Sequence, residues 1–474
     1  MTKRCFRVAM ICNYLPSNSK MGTGYQAHAM ANHLVRRGNE VVLFSPAPRP
    51  ADALYGHRSV DVGQSLRTFR FAWNLRKIDF SGFDVIHAHG DNYWLWSRRH
   101  RPPVIRTMHG SCLAEAWKVP GIKEKLRMLL LYAAEVLATL VSDKTVCVSA
   151  NTLKYYPGLK EVIPNGVDVA AFRPDSTNNE QRTTNSAAAA LRSTDNEQKF
   201  IPARRETTNN DDAAVAAKNP ESGIQNPEDA ECQIPNAQYS PSAALPRHSR
   251  FEVTGYGLQG AGEELEGGTN RQLEPAVRNT ECTENTANPE STGPVTCNLS
   301  SVTSRGGKAA TPTILFVGTF GNRKRGKLLM ELFARDILPA LPAAQLWMVC
   351  SDAPAAAGVT VFGRIPEEQL TDLYRRAWVF CLPSTYEGFG IPYIEAMASG
   401  TAVVASPNVG AVEVTRNGKD GMVVEDDKLG ATLLNVLTDE NLRHKLEAAG
   451  LERVKDFDLN KVCEQYEKIY QSVM

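Results

Sequence analysis

Two glutamates eight positions apart, Glu387 and Glu395, stand inside the stretch from Pro383 to Gly400, PSTYEGFGIPYIEAMASG. Between them come Gly388, Phe389 and Gly390, and then Pro392, which can open a helix because the N–H it lacks has no partner there. The order predicts a strand ending near Leu382, a glycine turn, and a helix from about Ile391 to Ser399. A strand–turn–helix of this kind aims free backbone N–H groups and the positive helix end at an anion. The glycines let the backbone come close to a ligand. Carboxylates beside an anion site are useful as acceptors for hydroxyls. A nucleotide sugar offers both partners: a diphosphate for the amides, and sugar and ribose hydroxyls for the acids. Taken alone, such a pair of glutamates is more often surface charge.

A second anion-binding pattern lies upstream. Ile314 to Val317 reads as a strand, Gly318 to Gly326 (GTFGNRKRG) as a loop, and Lys327 to Arg335 as a helix. Arg323, Lys324 and Arg325 at a helix N-terminus suit an anion whatever its identity. Histidines gather at other strand ends. Phe83 to Gly90 (FDVIHAHG) is a strand running into a loop, and Val104 to Met108 is a strand ending at His109 and Gly110. Ligands of open α/β sheets bind at the carboxyl ends of strands, where these histidines lie. His87, His89 and His109 also read as a zinc trio, though no acidic or cysteine ligand accompanies them.

The run from Glu387 to Gly400, E-G-F-G-x-P-x-x-E-A-M-A-x-G, resembles the signature of the retaining GT-B glycosyltransferases, glycosyltransferase family 4. The resemblance extends to DVIHAH at Asp84–His89, to His109–Gly110, to IPNGVD at Ile163–Asp168 and to the Gly318 loop. It covers most of both chain ends and leaves out a long middle. It implies the GT-B fold: two Rossmann-like doubly wound α/β domains facing a cleft. It also implies site roles. His109, Glu387 and Arg325 become the catalytic candidates: His109 beside the donor sugar, Glu387 on its hydroxyls, Arg325 on the departing diphosphate. Arg323, Lys324 and the N–H groups of Gly388, Phe389 and Gly390 share that charge. Glu395 holds ribose hydroxyls. Arg364 and Ile365 neighbour the base, and Gly22 and Gly24 lie against the donor phosphate or the acceptor. Two positions depart from the pattern: Thr319 stands where arginine is usual, and Arg325 where lysine is usual.

The function so implied is transfer of a sugar, with retention, from a nucleotide sugar to the hydroxyl of a glycan, lipid or small molecule. Cell-surface polysaccharide or glycoconjugate synthesis is the setting the resemblance suggests. No metal or other cofactor is expected. Neither glutamate is assigned as a covalent nucleophile, although paired carboxylates serve that way in hydrolases. Competing readings are an epimerase or a phosphorylase on the same fold, or a non-catalytic sugar-nucleotide binder. A phosphorylase carries pyridoxal phosphate on a lysine, and no matching lysine motif stands out.

The elements that must position these residues are legible in the same order. Arg7 to Asn13 is a buried strand, Pro16 to Gly24 a turn-rich loop containing Gly22 and Gly24, Ala27 to Arg37 a helix and Glu40 to Ser45 a second strand. This opens a doubly wound sheet. The apolar run from Met128 to Val141 carries Glu135 and is too short to span a bilayer, so it reads as a core helix. Acceptor contacts are expected in the loops Pro16–Tyr25 and Asp91–Trp96, where Trp94 and Trp96 could stack on a sugar or lipid.

Length and composition bound the whole. The 474 residues suffice for two or three domains. Residues 1–174 form the acceptor-side domain and 312–456 the donor-side domain; 457–474 form a helix expected to return to the first. The middle, 175–311, is rich in Asn, Thr, Ser, Glu, Pro, Gly and Ala, and is expected to be a disordered insertion. From 176 to 310 it holds 18 acidic and 12 basic residues, which leaves 41 basic and 34 acidic residues elsewhere, a net of +7. A modestly basic body suits an anionic donor or an anionic membrane surface. Nucleic acid is not an expected partner. Ten cysteines without a C-x-x-C pair suit a reducing compartment. The basic N-terminus leads into a strand and not a secretion signal. A cytoplasmic protein, peripheral at the membrane face, is the expectation.

Overall fold

The computed structural model describes residues 4–16, 22–63, 67–95, 101–117, 119, 121–174 and 307–474. Most of the stretch expected to be a disordered insertion, residues 175–306, lies outside the described residues, as do 17–21 of the glycine loop and Trp96.

Two six-stranded parallel sheets dominate. The first is built from β1 (Arg7–Ile11), β2 (Glu40–Ser45), β3 (Gly56–Ser59), β4 (Val85–Ala88), β5 (Val104–Met108) and β6 (Lys144–Cys147), in the order β3-β2-β1-β4-β5-β6. The second holds β7 (Thr313–Val317), β8 (Gln345–Val349), β9 (Val359–Val361), β10 (Val379–Leu382), β11 (Ala402–Ala405) and β12 (Met422–Val423), in the order β12-β11-β10-β7-β8-β9. Read from its own first strand, the second sheet repeats the order of the first. Both are Rossmann-like, and together they make the GT-B fold. β4, β5, β10 and β11 are buried at every residue, as parallel strands covered on both faces must be. In each sheet the order reverses between one strand pair, β1 and β4 in the first, β7 and β10 in the second. A crevice opens there at the carboxyl ends.

The helices of the first half are α1 (Gly22–Arg36), α2 (Arg67–Leu75), α3 (Cys112–Ala116), α4 (Ile122–Val141), α5 (Ala150–Leu153) and α6 (Val169–Phe172). Those of the second are α7 (Gly326–Leu332), continuing into a π turn at Phe333–Ile337, α8 (Glu367–Arg376), α9 (Ile391–Ala398), α10 (Val409–Val414), α11 (Asp426–Thr438), α12 (Glu440–Arg453) and α13 (Leu459–Val473). One boundary differs from the sequence reading with a physical reason. Gly22 and Gly24 were expected in a loop before a helix from Ala27, but α1 begins at Gly22. A Cβ on Gly24 would sit 2.8 Å from the carbonyl oxygen of Tyr14. The glycine therefore lets the first turn of α1 press against the chain leaving β1.

The chain crosses between the halves twice at one place. Val167 N–H donates to Phe457 O at 2.9 Å, and Leu459 N–H donates to Val167 O at 3.0 Å. A Cβ on Gly166 would meet Leu459 Cδ1 at 2.7 Å, so the Asn165–Gly166 turn is where the returning chain passes. α13 then fills the first core. Tyr466 and Tyr470 lie there among Phe6, Leu34 and Val41. The Tyr470 and Tyr466 hydroxyls bond to His87 Nδ1 and Thr107 Oγ1, both at 2.7 Å. Arg37 pairs with Glu467 at 2.8 Å on the same seam. On the other side, residues 307–311 already belong to the second half. Lys308 Nζ donates to Ala377 O at 2.6 Å and to Gly400 O at 3.0 Å, and Ala309 N–H donates to Arg376 O.

Candidate functional site

The carboxyl-end crevices of the two sheets face each other, and the contacts between them are close. A Cβ on Gly388 would lie 3.0 Å from the carbonyl oxygen of His109, and one on Gly22 would lie 3.1 Å from Ile391 Cδ1. Arg364 donates to Pro16 O. Glu413, on α10, accepts from Ala150 N–H at 3.0 Å and so caps α5. Arg375 donates to the carbonyls of Ala171 and Arg173 at the end of α6.

Glu387 sits at the switch point of the second sheet, between the loop after β7 and the loop after β10. It is 5% exposed. The Lys324 ammonium pairs with Oε1 at 2.7 Å, and Arg323 Nη1 lies 3.5 Å from Oε2. Burial lowers the Lys324 pKa, and Glu387 holds it back up. The loop carrying these cations is bent to bring them there. Asn322 and Arg325 have φ of 54° and 53°, a left-handed conformation that non-glycine residues seldom take. Ser384 Oγ and Thr385 N–H both donate to Arg323 O, which ties the two loops together.

The structure divides the three cations. Arg325, expected on the diphosphate, points at α11 instead: it grips Asp426 with two N–H groups, Nη2 to Oδ1 at 2.9 Å, and its Nε donates to Pro383 O. Asp426 is held below the ordinary carboxylate range by that bond, and Ser406 adds to it. Arg325 therefore braces the turn leaving β10, while Lys324 and Arg323 flank Glu387.

The glycine turn has its own constraints. Gly390 takes φ +95°, and a Cβ there would strike Tyr393 at 2.4 Å. Phe389 is 4% exposed, with its ring edge-on to Phe457 at 5.6 Å. Only its backbone is free to meet a ligand. Among the described residues nothing accepts from the N–H groups of Gly388, Phe389 and Gly390. Beneath them Gly410 is indispensable to the close packing: a Cβ there would come within 2.6 Å of Phe389 O and 2.8 Å of Glu387 Cβ.

Glu395 lies one helical stretch deeper, on α9. Tyr374 O–H donates to its Oε2 at 2.9 Å. Burial pushes its pKa up to about 7, with Glu367 adding to the rise and Tyr374 and Lys324 opposing it. Near neutrality this carboxyl can therefore both donate and accept. Burial also raises Tyr25, which lies close enough to Arg364 and Glu395 to feel both. Ile365 packs against the second core, beside Arg364.

His109 comes to the cleft by its backbone. Its carbonyl faces Gly388, while its ring turns inward: Nε2 is 2.9 Å from His89 Nδ1, and Asn165 bonds to the ring as well. His89 in turn stacks on His87 with centroids 4.5 Å apart. Both nitrogens of His87 are taken, by Tyr470 and by Thr107 at 2.8 Å. The zinc-trio reading finds no shared point for a metal, since His87 has no nitrogen left to offer. Burial lowers all three rings, His109 to about 4 and His87 to about 3.

The amino-acid sequence alone did not reveal Tyr374 or Asp426. Each acts through another residue and belongs to no local pattern that marks it. Asp91, which opens one of the loops expected to meet the acceptor, is raised to about 6 by burial of its carboxyl, with Arg106 and a bond from Asn13 opposing the rise.

Residues 304–453 match the family described as glycosyl transferases group 1, and residues 21–171 match glycosyltransferase family 4. Together they cover more than half of the chain. Both matched families are glycosyltransferases, and each match covers about a third of the chain. The chain is 32% identical over 178 residues to a phosphatidyl-myo-inositol mannosyltransferase of Mycobacterium tuberculosis, covering 34% of this chain and 47% of the relative. It is 31% identical over 173 residues to an O-antigen chain mannosyltransferase B of Escherichia coli, covering 33% and 45%. The chain thus spans about half the length of the curated relatives it matches. In fold it is similar to sucrose-phosphate synthase from Thermosynechococcus elongatus (TM-score 0.60, 17% identity, 98% of each chain). It is similar also to Anabaena HepE in complex with UDP and glucose (TM-score 0.58, 12% identity, 98% of this chain and 100% of that one).

Proposed function

We propose that this glycosyltransferase moves a sugar from a nucleotide-sugar donor to an acceptor hydroxyl, with retention at the anomeric carbon. The observation that carries the reading is the meeting of Glu387, Lys324, Arg323 and the unpartnered amides of Gly388 to Gly390 at one switch point, against the His109 carbonyl. The helix end, the two cations and the amides take up the charge that grows on the diphosphate as its bond to the anomeric carbon breaks. Glu387, already held by Lys324, accepts from donor-sugar hydroxyls and orients the ring. Glu395 binds ribose hydroxyls. Arg364 and Ile365 flank the base, with Tyr25 of the facing half beside them. Arg325 acts through Asp426 and Pro383 as a positioning residue. His109 serves through its carbonyl, and the ring behind it fixes that carbonyl. In this reading no metal or other cofactor enters and no protein nucleophile is assigned. Closing the cleft excludes water that would otherwise hydrolyse the donor.

The named relatives are mannosyltransferases and HepE is in complex with UDP and glucose, so mannose and glucose donors come first in a test. Calorimetry with UDP-, GDP- and ADP-sugars, followed by release of nucleotide, is the experiment. One donor should bind, and its binding should weaken at least tenfold in Lys324→Met and Glu387→Gln. Binding of none of the UDP-, GDP- and ADP-sugars, or binding indifferent to both substitutions, would overturn the assignment.

A further inference from the structure

The outward face of α4 is apolar. Ile122, Leu126, Leu129, Leu130, Leu137 and Leu140 are exposed, from 40% at Leu137 to 80% at Ile122. At about 100° per residue they fall in a single sector roughly 100° wide. The rest of the circumference holds the helix to the protein. Met128, Ala138 and Val141 are buried there. Glu135 accepts from Cys112 N–H at 3.0 Å and from Tyr156 O–H at 2.6 Å. Tyr132 and Val136 pack with Met108 and Cys147. The expectation of a core helix thus holds for one face only. A second apolar stripe looks out to solvent, which monomeric soluble surfaces seldom carry at this size.

Charge frames that stripe. By the same angular count, Lys123 and Lys125 stand just outside its two edges, and among the described residues neither is paired with an acid. Glu124 is taken by Arg127 at 2.8 Å. Beside the C-terminal half of α4, Ala72 of α2 and Tyr93 pack with Ala138. α2 has no acid; it carries Arg67 and Arg70 and exposes Phe69 and Trp73. The Arg76 guanidinium lies 4.5 Å from the Trp73 ring centre, and Trp94 meets that ring edge-on at 5.4 Å. A leucine stripe with aromatic rings and cations at its margins is the pattern of a helix lying in a lipid interface. Among the described residues no helix is long and apolar enough to cross a membrane. A self-complementary protein interface would want acids opposite these cations, and Glu124 and Glu135 of α4 are already bonded within the chain.

We infer that the outer stripe of α4, with Phe69 and Trp73 of α2, docks this protein on an anionic lipid surface. The leucines enter the acyl boundary and Lys123 and Lys125 meet the headgroups. This rests on the surface alone and stands apart from the donor assignment.

Sedimentation of the full chain with phosphatidylglycerol vesicles, and separately with phosphatidylcholine vesicles, tests it. The anionic vesicles should carry the protein down and the neutral ones should leave most of it in solution. Leu126→Glu with Leu130→Glu should lower partitioning about 100-fold. Lys123→Glu with Lys125→Glu should lower it at least about 25-fold, and added salt should act in the same direction. Leu126, Leu130 and Lys123 are exposed and Lys125 is half-buried, so both variants should keep the parent's melting temperature; Trp73→Ala gives a third reading from a different helix. Protein that stays in solution with both vesicle types would refute the inference. So would a Leu126→Glu/Leu130→Glu variant that binds as well as the parent, or a parent dimer that this variant makes monomeric.

Discussion

Replacing Lys324 by methionine removes the ammonium that lies 2.7 Å from Glu387 Oε1. The side chains of the pair are 15% and 7% exposed, so water does not step in easily. At that distance, and at an effective dielectric constant near 20, the attraction is roughly 6 kcal/mol. Much of it offsets the cost of taking both charges out of water. Breaking the pair from one side leaves a buried carboxylate with Arg323 as its nearest cation, 3.5 Å away and half exposed. A loss of about 3 kcal/mol in unfolding free energy follows. The double variant Lys324→Met/Glu387→Met removes both charges and should recover to within about 1 kcal/mol of the parent. Its nucleotide-sugar turnover should stay lost, because the groups that meet the donor are gone. Denaturant titration of the four proteins in one double-mutant cycle gives the coupling, and released nucleotide gives the activity. A Lys324→Met protein within about 0.5 kcal/mol of the parent would show that the pair is solvated and that the electrostatic argument for this site is mistaken.

Two further outcomes follow from the same structure. Glu395 has a folded pKa near 7, above its unfolded value near 4.5, so it holds its proton more tightly when folded and destabilises the protein as pH rises from about 4.5 to 7. Glu395→Gln should therefore be more stable than the parent at pH 8, by on the order of 2–3 kcal/mol, and no more stable near pH 4.5. Denaturation midpoints at the two pH values check this; equal shifts at both would contradict it. A methyl on Gly388 would crowd the His109 carbonyl at 3.0 Å, so Gly388→Ala should cut turnover at least about tenfold while leaving the melting temperature within a degree or two. Unchanged turnover would mean that the contact between the halves does not shape the reacting geometry.

The chain's own order already carried its architecture. Apolar runs such as Val8–Cys12 and Val379–Leu382 mark buried parallel strands, and the glycine turns and helix starts between them mark a doubly wound sheet, twice. Those signals are local: period, length and breaker residues lie within a few positions of each other. So are the Glu387–Gly390 turn and the basic loop before α7, both written in adjacent residues. Three things were not local. Arg323, Lys324 and Arg325 look equivalent in a row, yet the left-handed turn at Asn322 and Arg325 sends one to Asp426, 101 positions away, and leaves the others near Glu387. His109 reads as a ring at a strand end, but the tertiary stack with His89 turns that ring inward and presents the carbonyl. The apolar run in α4 reads as core because hydrophobicity says that a surface avoids water without saying which surface covers it. Only packing on the first sheet shows that one face is covered and the other is not. Sequence patterns specify which groups exist and what backbone they ride on; which of them meet is decided by chain crossings hundreds of residues apart, where distance and burial set the charge.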